Sequence, residues 1–206
     1  MKIEQHITGL LYSNMYVISE NGHAIVIDPC VNTDPAKGLQ FDWILLTHEH
    51  YDHISGVNAW KKTTDADVLC SKMCAERTKD PRKNQARFFP EFCELQTWVA
   101  LDEIPSTDRD YGCYADKTFQ NRISFVWQGH ELDLMEIPGH SPGSIGIYID
   151  RRIFFSGDSL LENKNIELRF PGGSRQQWIK TGLPRINAVP KGTVVYPGHF
   201  RPFILN

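Results

Sequence analysis

Short apolar runs recur along the chain, and most of them stop at a polar or turn-forming cluster. Met15-Tyr16-Val17-Ile18 and Ala24-Ile25-Val26-Ile27 read as two strands, and Glu20-Asn21-Gly22-His23 between them carries an Asn-Gly hairpin signal. His23 reads as a solvated turn residue, and His6 as a structural residue on an earlier strand. Residues 33–39 read as turn or brief helix. Trp43-Ile44-Leu45-Leu46 has strand length, a helix is predicted from Ile54 to Lys62 with Val57 and Trp60 inward, and Asp67-Val68-Leu69-Cys70 is the next strand. A strand pair, a strand, a helix and a strand in that order point to an α/β sandwich.

The second half repeats the pattern. Glu131 to Ile137 alternates, with Leu132, Leu134 and Ile137 against Glu131, Asp133 and Glu136. Ser144 to Ile149 and Ile153-Phe154-Phe155 are further strands, separated by a turn at Arg151-Arg152. The last helix is predicted over Ser174 to Ile186 with Ser174 as its N-cap, and Thr193 to Tyr196 is the final strand. Residues 71–128 are the least regular. Ser71 to Arg87 favours helix with a break at Asp80-Pro81, and its charges read as a solvated face. Phe88, Phe89 and Phe92 follow, then Trp98, Tyr111, Tyr114 and Phe119. This aromatic stretch reads either as core or as a lid or pocket wall, with an oligomer contact as a further reading.

What the strands deliver carries the chemistry. Trp43–Leu46 runs into Thr47-His48-Glu49-His50-Tyr51-Asp52-His53. Positions 48, 50, 52 and 53 share no helical face, so a loop is expected to aim them, His48 and His50 as a pincer and Asp52 and His53 at a second point nearby. Other strands end at Pro138-Gly139-His140, at Ser156-Gly157-Asp158 and at Pro197-Gly198-His199. Asp28, in Ile27-Asp28-Pro29, also ends a strand and reads as a turn former and as an acceptor that orients a ligand loop.

Imidazole and carboxylate together suit zinc, and also iron or manganese. His48, His50, Asp52, His53, His140, Asp158 and His199 exceed the three protein ligands of one open zinc site. The expected partition is His48, His50 and His140 on one metal, Asp52, His53 and His199 on the other, and Asp158 as the bridge. Asp52 and His199 are the candidates for a catalytic as well as a ligating role. Two zinc ions with a hydroxide between them imply hydrolysis of a carbonyl or phosphoryl centre. Ser13 and Ser141 need no catalytic role, since no Gly-x-Ser-x-Gly elbow is present.

Composition narrows the class. The 206 residues predict one domain over 1–206 with a variable insertion at about 71–128. A net charge of −3 gives no footprint for nucleic acid. Neither a signal peptide nor an apolar run of membrane-spanning length is visible, so the expected location is the cytoplasm. The five cysteines lack a disulfide-framework spacing and read as separate, reduced thiols. The expected partner is a small-molecule substrate, with a homo-oligomer as a possible assembly.

The motifs His48-x-His50-x-Asp52-His53, Pro138-Gly139-His140-Ser141-Pro142-Gly143-Ser144, Ser156-Gly157-Asp158-Ser159-Leu160 and Pro197-Gly198-His199 resemble the metal-binding motifs of metallo-β-lactamase-fold hydrolases. Asp28 resembles that family's structural aspartate. The resemblance implies an αββα sandwich of two mixed sheets flanked by helices, with metals at one edge. Phe170-Pro171-Gly172-Gly173-Ser174 is similar to the glyoxalase II-like branch of thioesterases, which has persulfide dioxygenases as relatives. Full glyoxalase II enzymes carry a carboxy-terminal helical region that helps bind glutathione. This sequence runs seven residues past His199, so glutathione specificity does not follow from the resemblance. The expected function is a dinuclear hydrolase of a small thioester or ester. The alternatives are a mononuclear iron dioxygenase using His48, His140 and Asp158, and a non-catalytic metal-stabilised binding module. Asp158, standing where many β-lactamases of this fold use cysteine, argues against that activity.

Overall fold

The computed structural model describes residues 1–32, 34–95 and 106–206. Thr33 and Trp98 lie outside the described residues. The first sheet has six strands in chain order: β1 (Lys2–Ile7), β2 (Asn14–Glu20), β3 (His23–Ile27), β4 (Gln40–Leu45), β5 (Asp67–Ser71) and β6 (Lys117–Phe119). The β1-β2-β3 meander is antiparallel, and β3 to β6 pair in parallel. Asn21 and Gly22 both have positive φ, as the Asn-Gly signal between β2 and β3 requires. The second sheet is ordered β12-β11-β10-β9-β8-β7. Its strands are β7 (Arg122–Trp127), β8 (His130–Glu136), β9 (Ile145–Ile149), β10 (Ile153–Gly157), β11 (Val194–Pro197) and β12 (Phe203–Ile204). Only the β10–β11 pair is parallel there.

Alternation along each strand sorts the core into layers. Tyr16, Ile18, Ile25, Ile27 and Leu45 face Leu132, Leu134, Ile147 and Phe155 between the sheets. Met15, Val17, Val26, Ile44 and Val68 pack on the outer side of the first sheet, against helices α1 (Tyr51–Ile54), α2 (Val57–Thr64), α3 (Lys72–Arg77) and α4 (Phe89–Glu94). Ile137, Phe154 and Val195 on the far side of the second sheet are covered by Trp178, Ile186 and Val189, of the segment that holds α5 (Arg175–Gln177) and α6 (Leu183–Asn187). Central strands are therefore apolar on both faces, which is why they read as runs. The result is the expected αββα sandwich. Among the described residues no helix is long and apolar enough to cross a membrane.

Several local expectations change. The last helix is not continuous: α5 and α6 are joined by a π-helical turn, Trp178–Gly182, although the Ser174 hydroxyl does accept from Gln177 N–H as a cap. His23 is not a solvated turn residue. It opens β3 with its Nδ1 2.9 Å from Asp42 Oδ2, an oxygen that also accepts from Trp127 Nε1. Residues 71–94 hold α3, turns, a short 3-10 segment at Ala86–Phe88, and α4 in place of one broken helix. Within the 71–128 stretch, β6 and β7 each form an edge of a sheet. All five cysteines are free thiols, with Cys70, Cys74, Cys93 and Cys113 buried.

Candidate metal centre

Parallel pairing brings the carboxyl ends of β4, β10 and β11 to one rim of the sandwich, where loops emerge to hold side chains. The loop after β4 carries His48 and His50, and Asp52 and His53 follow on the single turn of α1. Part of the expected loop is thus helical. Its short length lets Asp52 and His53 aim differently from the pincer. His140 comes from the loop between β8 and β9, Asp158 from the end of β10, and His199 from the loop after β11.

Among the described residues the side chains converge as three overlapping groups that could hold a metal ion, His48-His50-His140, Asp52-His53-His199 and, linking them from behind, Asp28-His48-His53. In the first, His140 Nε2 lies 3.0 Å from His50 Nδ1, and the His48 and His50 rings are 4.6 Å apart. In the second, Asp52 Oδ2 lies 3.3 Å from His53 Nε2 and 3.4 Å from His199 Nε2. Asp158 reaches both groups, with Oδ2 at 3.6 Å from His140 Nε2 and 3.4 Å from His199 Nε2. All seven residues expected from the sequence are brought together.

Outer hydrogen bonds set four of the five imidazoles. Asp28, at φ 51°, accepts Thr47 N–H on one oxygen and both Thr47 Oγ1–H and His53 Nδ1–H on the other. Thr47 Oγ1 is also 3.0 Å from His48 Nδ1. His140 Nδ1 donates to the Glu167 carbonyl and His199 Nδ1 to that of Leu11. These bonds occupy one nitrogen of the His48, His53, His140 and His199 rings and leave the other for the site, while His50 turns its Nδ1 toward His140 with no such outer bond. The β2 strand secures the last loop, since Asn14 Nδ2 and Tyr16 OH both donate to the Pro197 carbonyl. Gly198 permits the closure, because a Cβ there would collide with Asp158 Oδ1. The two serines are structural, Ser13 donating to the Asp52 carbonyl and Ser141 to Glu49.

The residues fit a cation. His48 Nε2, His50 Nε2 and Asp158 Oδ1 are buried with no hydrogen-bond partner in the protein. Burial, and then neighbouring histidines, push His48 and His50 well below the usual imidazole range, keeping both neutral as ligation requires. Burial opposes ionisation of Asp52 and Asp158, yet His53 and His199 hold both carboxyls well below the usual range. Burial likewise opposes charge on His199, and Asp158 and Asp52 nevertheless raise it to about 9. His53 is raised by Asp52 and Asp158 against the same opposition. In the metal-free protein, protons on the second group supply the positive charge its carboxylates attract.

A cleft of about 260 Å³ adjoins the group, lined by His50, Asp52, Asp158 and His199 and by Leu11, Phe89, Phe92, Leu161, Phe170 and Phe200. Phe170 packs edge-on against Phe92 at 4.9 Å and against His140 at 5.8 Å. Phe89 is also buried in the outer core with Tyr111, so Phe89 and Phe92 join core to cleft wall, whereas Phe88 and Tyr114 of the same stretch are exposed. Sequence reasoning missed Glu49 and Arg77. Glu49 is fully buried and Arg77, read as part of a solvated face, donates to it from Nε at 2.6 Å. The partner lies 28 positions away, and no local pattern announces it.

The sequence profile of the metallo-beta-lactamase superfamily matches residues 8–199. The hydroxyacylglutathione hydrolase of Methylobacillus flagellatus is 27% identical over 190 residues, covering 90% of this chain and 61% of that protein. The chain thus spans about three fifths of that relative's length. Among solved structures, the BLEG-1 B3 metallo-beta-lactamase superposes with a TM-score of 0.78 at 24% identity, covering 98% of this chain and 94% of the other. ETHE1 from Myxococcus xanthus gives 0.70 at 21% identity, covering 98% and 76%. These likenesses show a common fold, and the match over nearly the whole chain shows more: this protein belongs to the metallo-beta-lactamase superfamily.

Proposed function

We propose that the protein is a dinuclear metal-dependent hydrolase of small thioesters or esters whose acyl part is apolar. The observation that carries the reading is the position of Asp158. One carboxylate oxygen lies within 3.6 Å of a histidine from each ligand group, as a bridge between two ions requires. His48, His50 and His140 would hold one ion, Asp52, His53 and His199 the other, and zinc suits this donor set. Bound there, the ions would supply a water of lowered pKa and a Lewis acid for the substrate carbonyl.

The chain's own residues do the remainder. Asp28 and Thr47 fix His48 and His53, so the ligands are set before substrate arrives. Leu11, Phe89, Phe92, Leu161, Phe170 and Phe200 exclude water from one side of the cleft and receive apolar substrate surface. Lys164 stands on the cleft wall with its ammonium 5.5 Å from the Phe200 ring, the one cationic side chain there apart from histidine among the described residues. The name of the Methylobacillus relative, a hydrolase of an acylated glutathione, supports a thioester as the bond cleaved.

Metal analysis and turnover test the reading together. The purified protein should carry about two zinc ions per chain, lose hydrolysis on chelation and regain it with zinc. His50→Ala and Asp158→Ala should each abolish hydrolysis while circular dichroism stays near that of the parent. Unchanged turnover in metal-verified variants would refute the site. One iron per chain with persulfide-dependent oxygen uptake would instead establish the dioxygenase chemistry of a two-histidine, one-carboxylate site.

A further inference from the structure

One fully buried charge takes no part in the chemistry above. Glu49 stands between His48 and His50 in the loop after β4, and its carboxylate is turned to Arg77 and Ser141 rather than to the ligand nitrogens. It is wholly inaccessible, and both oxygens are engaged. Oε1 accepts from Arg77 Nε at 2.6 Å, and Oε2 accepts from Ser141 Oγ at 2.8 Å. Ser141 follows His140 directly. One carboxylate therefore ties the His48–His50 segment to the loop of the group's third histidine.

The ion pair extends the tie. Arg77 Nη2 donates at 3.2 Å to the carbonyl of Pro171, next to Phe170, whose ring packs on both His50 and His140. Gly143 leaves room for the carboxylate, since a Cβ there would collide with Glu49 Oε2 and lie 2.6 Å from Cys74 Cα. Ser71 Oγ holds that glycine by donating to its carbonyl at 2.8 Å. Among the described residues, the hydrogen bonds and ion pair of Glu49 and Arg77 run to Ser141, Lys83 and Pro171 and to each other, not to Asp52, His53 or His199.

We propose that the ion pair of buried Glu49 with half-buried Arg77 is a positioning device for the His48-His50-His140 group alone, holding its two loops in register for metal binding. The proposal rests on the metal-centre reading above. A pair that served only the fold would, when broken, weaken both ligand groups together. A positioning pair weakens one.

Zinc itself is the probe, with affinity read by competition against a chromophoric chelator on the full chain. In an Asp52→Ala background only the first group is intact, and in a His50→Ala background only the second. Adding Glu49→Gln should lower zinc affinity about 10–100-fold in the first background and leave it within about twofold in the second. Arg77→Met should act alike, and Arg77→Lys should recover part of the loss. If a single variant fails to fold, Glu49→Gln with Arg77→Met removes both charges and leaves no uncompensated ion, and the same selective loss is expected. Equal losses in both backgrounds, or none in either, would overturn the positioning role while leaving the metal centre standing. Absence of zinc binding in both unmodified backgrounds would instead sink the metal-centre reading, and this proposal with it.

Discussion

Asp28 shows how much one residue outside the ligand set controls. Its two oxygens face three donors from Thr47 and His53, and its backbone is left-handed, a conformation aspartate tolerates better than most residues. In Asp28→Asn the amide NH2 would point at a donor. Zinc affinity should fall about 10–100-fold with little change in secondary structure, as a chelator competition would register. His199 gives a pH dependence of definite sign. Its pKa is raised in the folded, metal-free protein to about 9 from an ordinary 6.5. The stabilisation is complete below the ordinary value and lost as pH climbs to about 9. Metal-free protein should therefore lose thermal stability over that range, and zinc-loaded protein should lose less, since zinc replaces the proton. A flat profile for the metal-free form would contradict the pairing of His199 with Asp158 and Asp52.

At the scale of elements, α4 and the segment before it give the cleft its apolar wall through Phe89 and Phe92. Phe92→Ala should cut kcat/KM for a long-chain acyl thioester about tenfold or more, sparing the acetyl analogue, since apolar contacts discriminate by about 1–3 kcal/mol. Metal content should not change, and its loss would mark Phe92 as part of the core that supports the ligands. Elements also show what a sequence can disclose. The central strands were legible because both faces are buried, so Ile25-Val26-Ile27 and Ile44-Leu45-Leu46 stand out as runs. The ligands were legible because each follows such a run. The π-helical turn at Trp178–Gly182 was not, since it depends on Gly182 packing against Trp178 and the Pro138 carbonyl. Nor were the short pieces between Ser71 and Glu94, because Arg77 and Asn84 are fixed by distant partners such as Glu49 and the Tyr111 carbonyl.

Across the whole molecule, the inter-sheet core is what keeps the rim in shape. Leu134 of β8 is fully buried there. Leu134→Ala should destabilise the protein by about 2–5 kcal/mol in chemical denaturation. The sheets are also joined at the rim itself, where Ile145 N–H donates to the Thr47 carbonyl at 2.8 Å, beside His48. A weakened core should therefore reach the ligands through this seam, and Leu134→Ala should lower metal retention at temperatures well under its unfolding midpoint.

The contribution of β11 to the rim sets an order of events during synthesis. His48, His50 and His140 have all left the ribosome before His199 is made, and the Pro197 carbonyl that Asn14 and Tyr16 grip comes just ahead of it. A growing chain holds all three histidines of one ligand group early, but the other group is complete only once His199, after the final parallel strand beside β10, has been added. On the dinuclear reading proposed above, the second ion could be held only after the chain has been translated through His199.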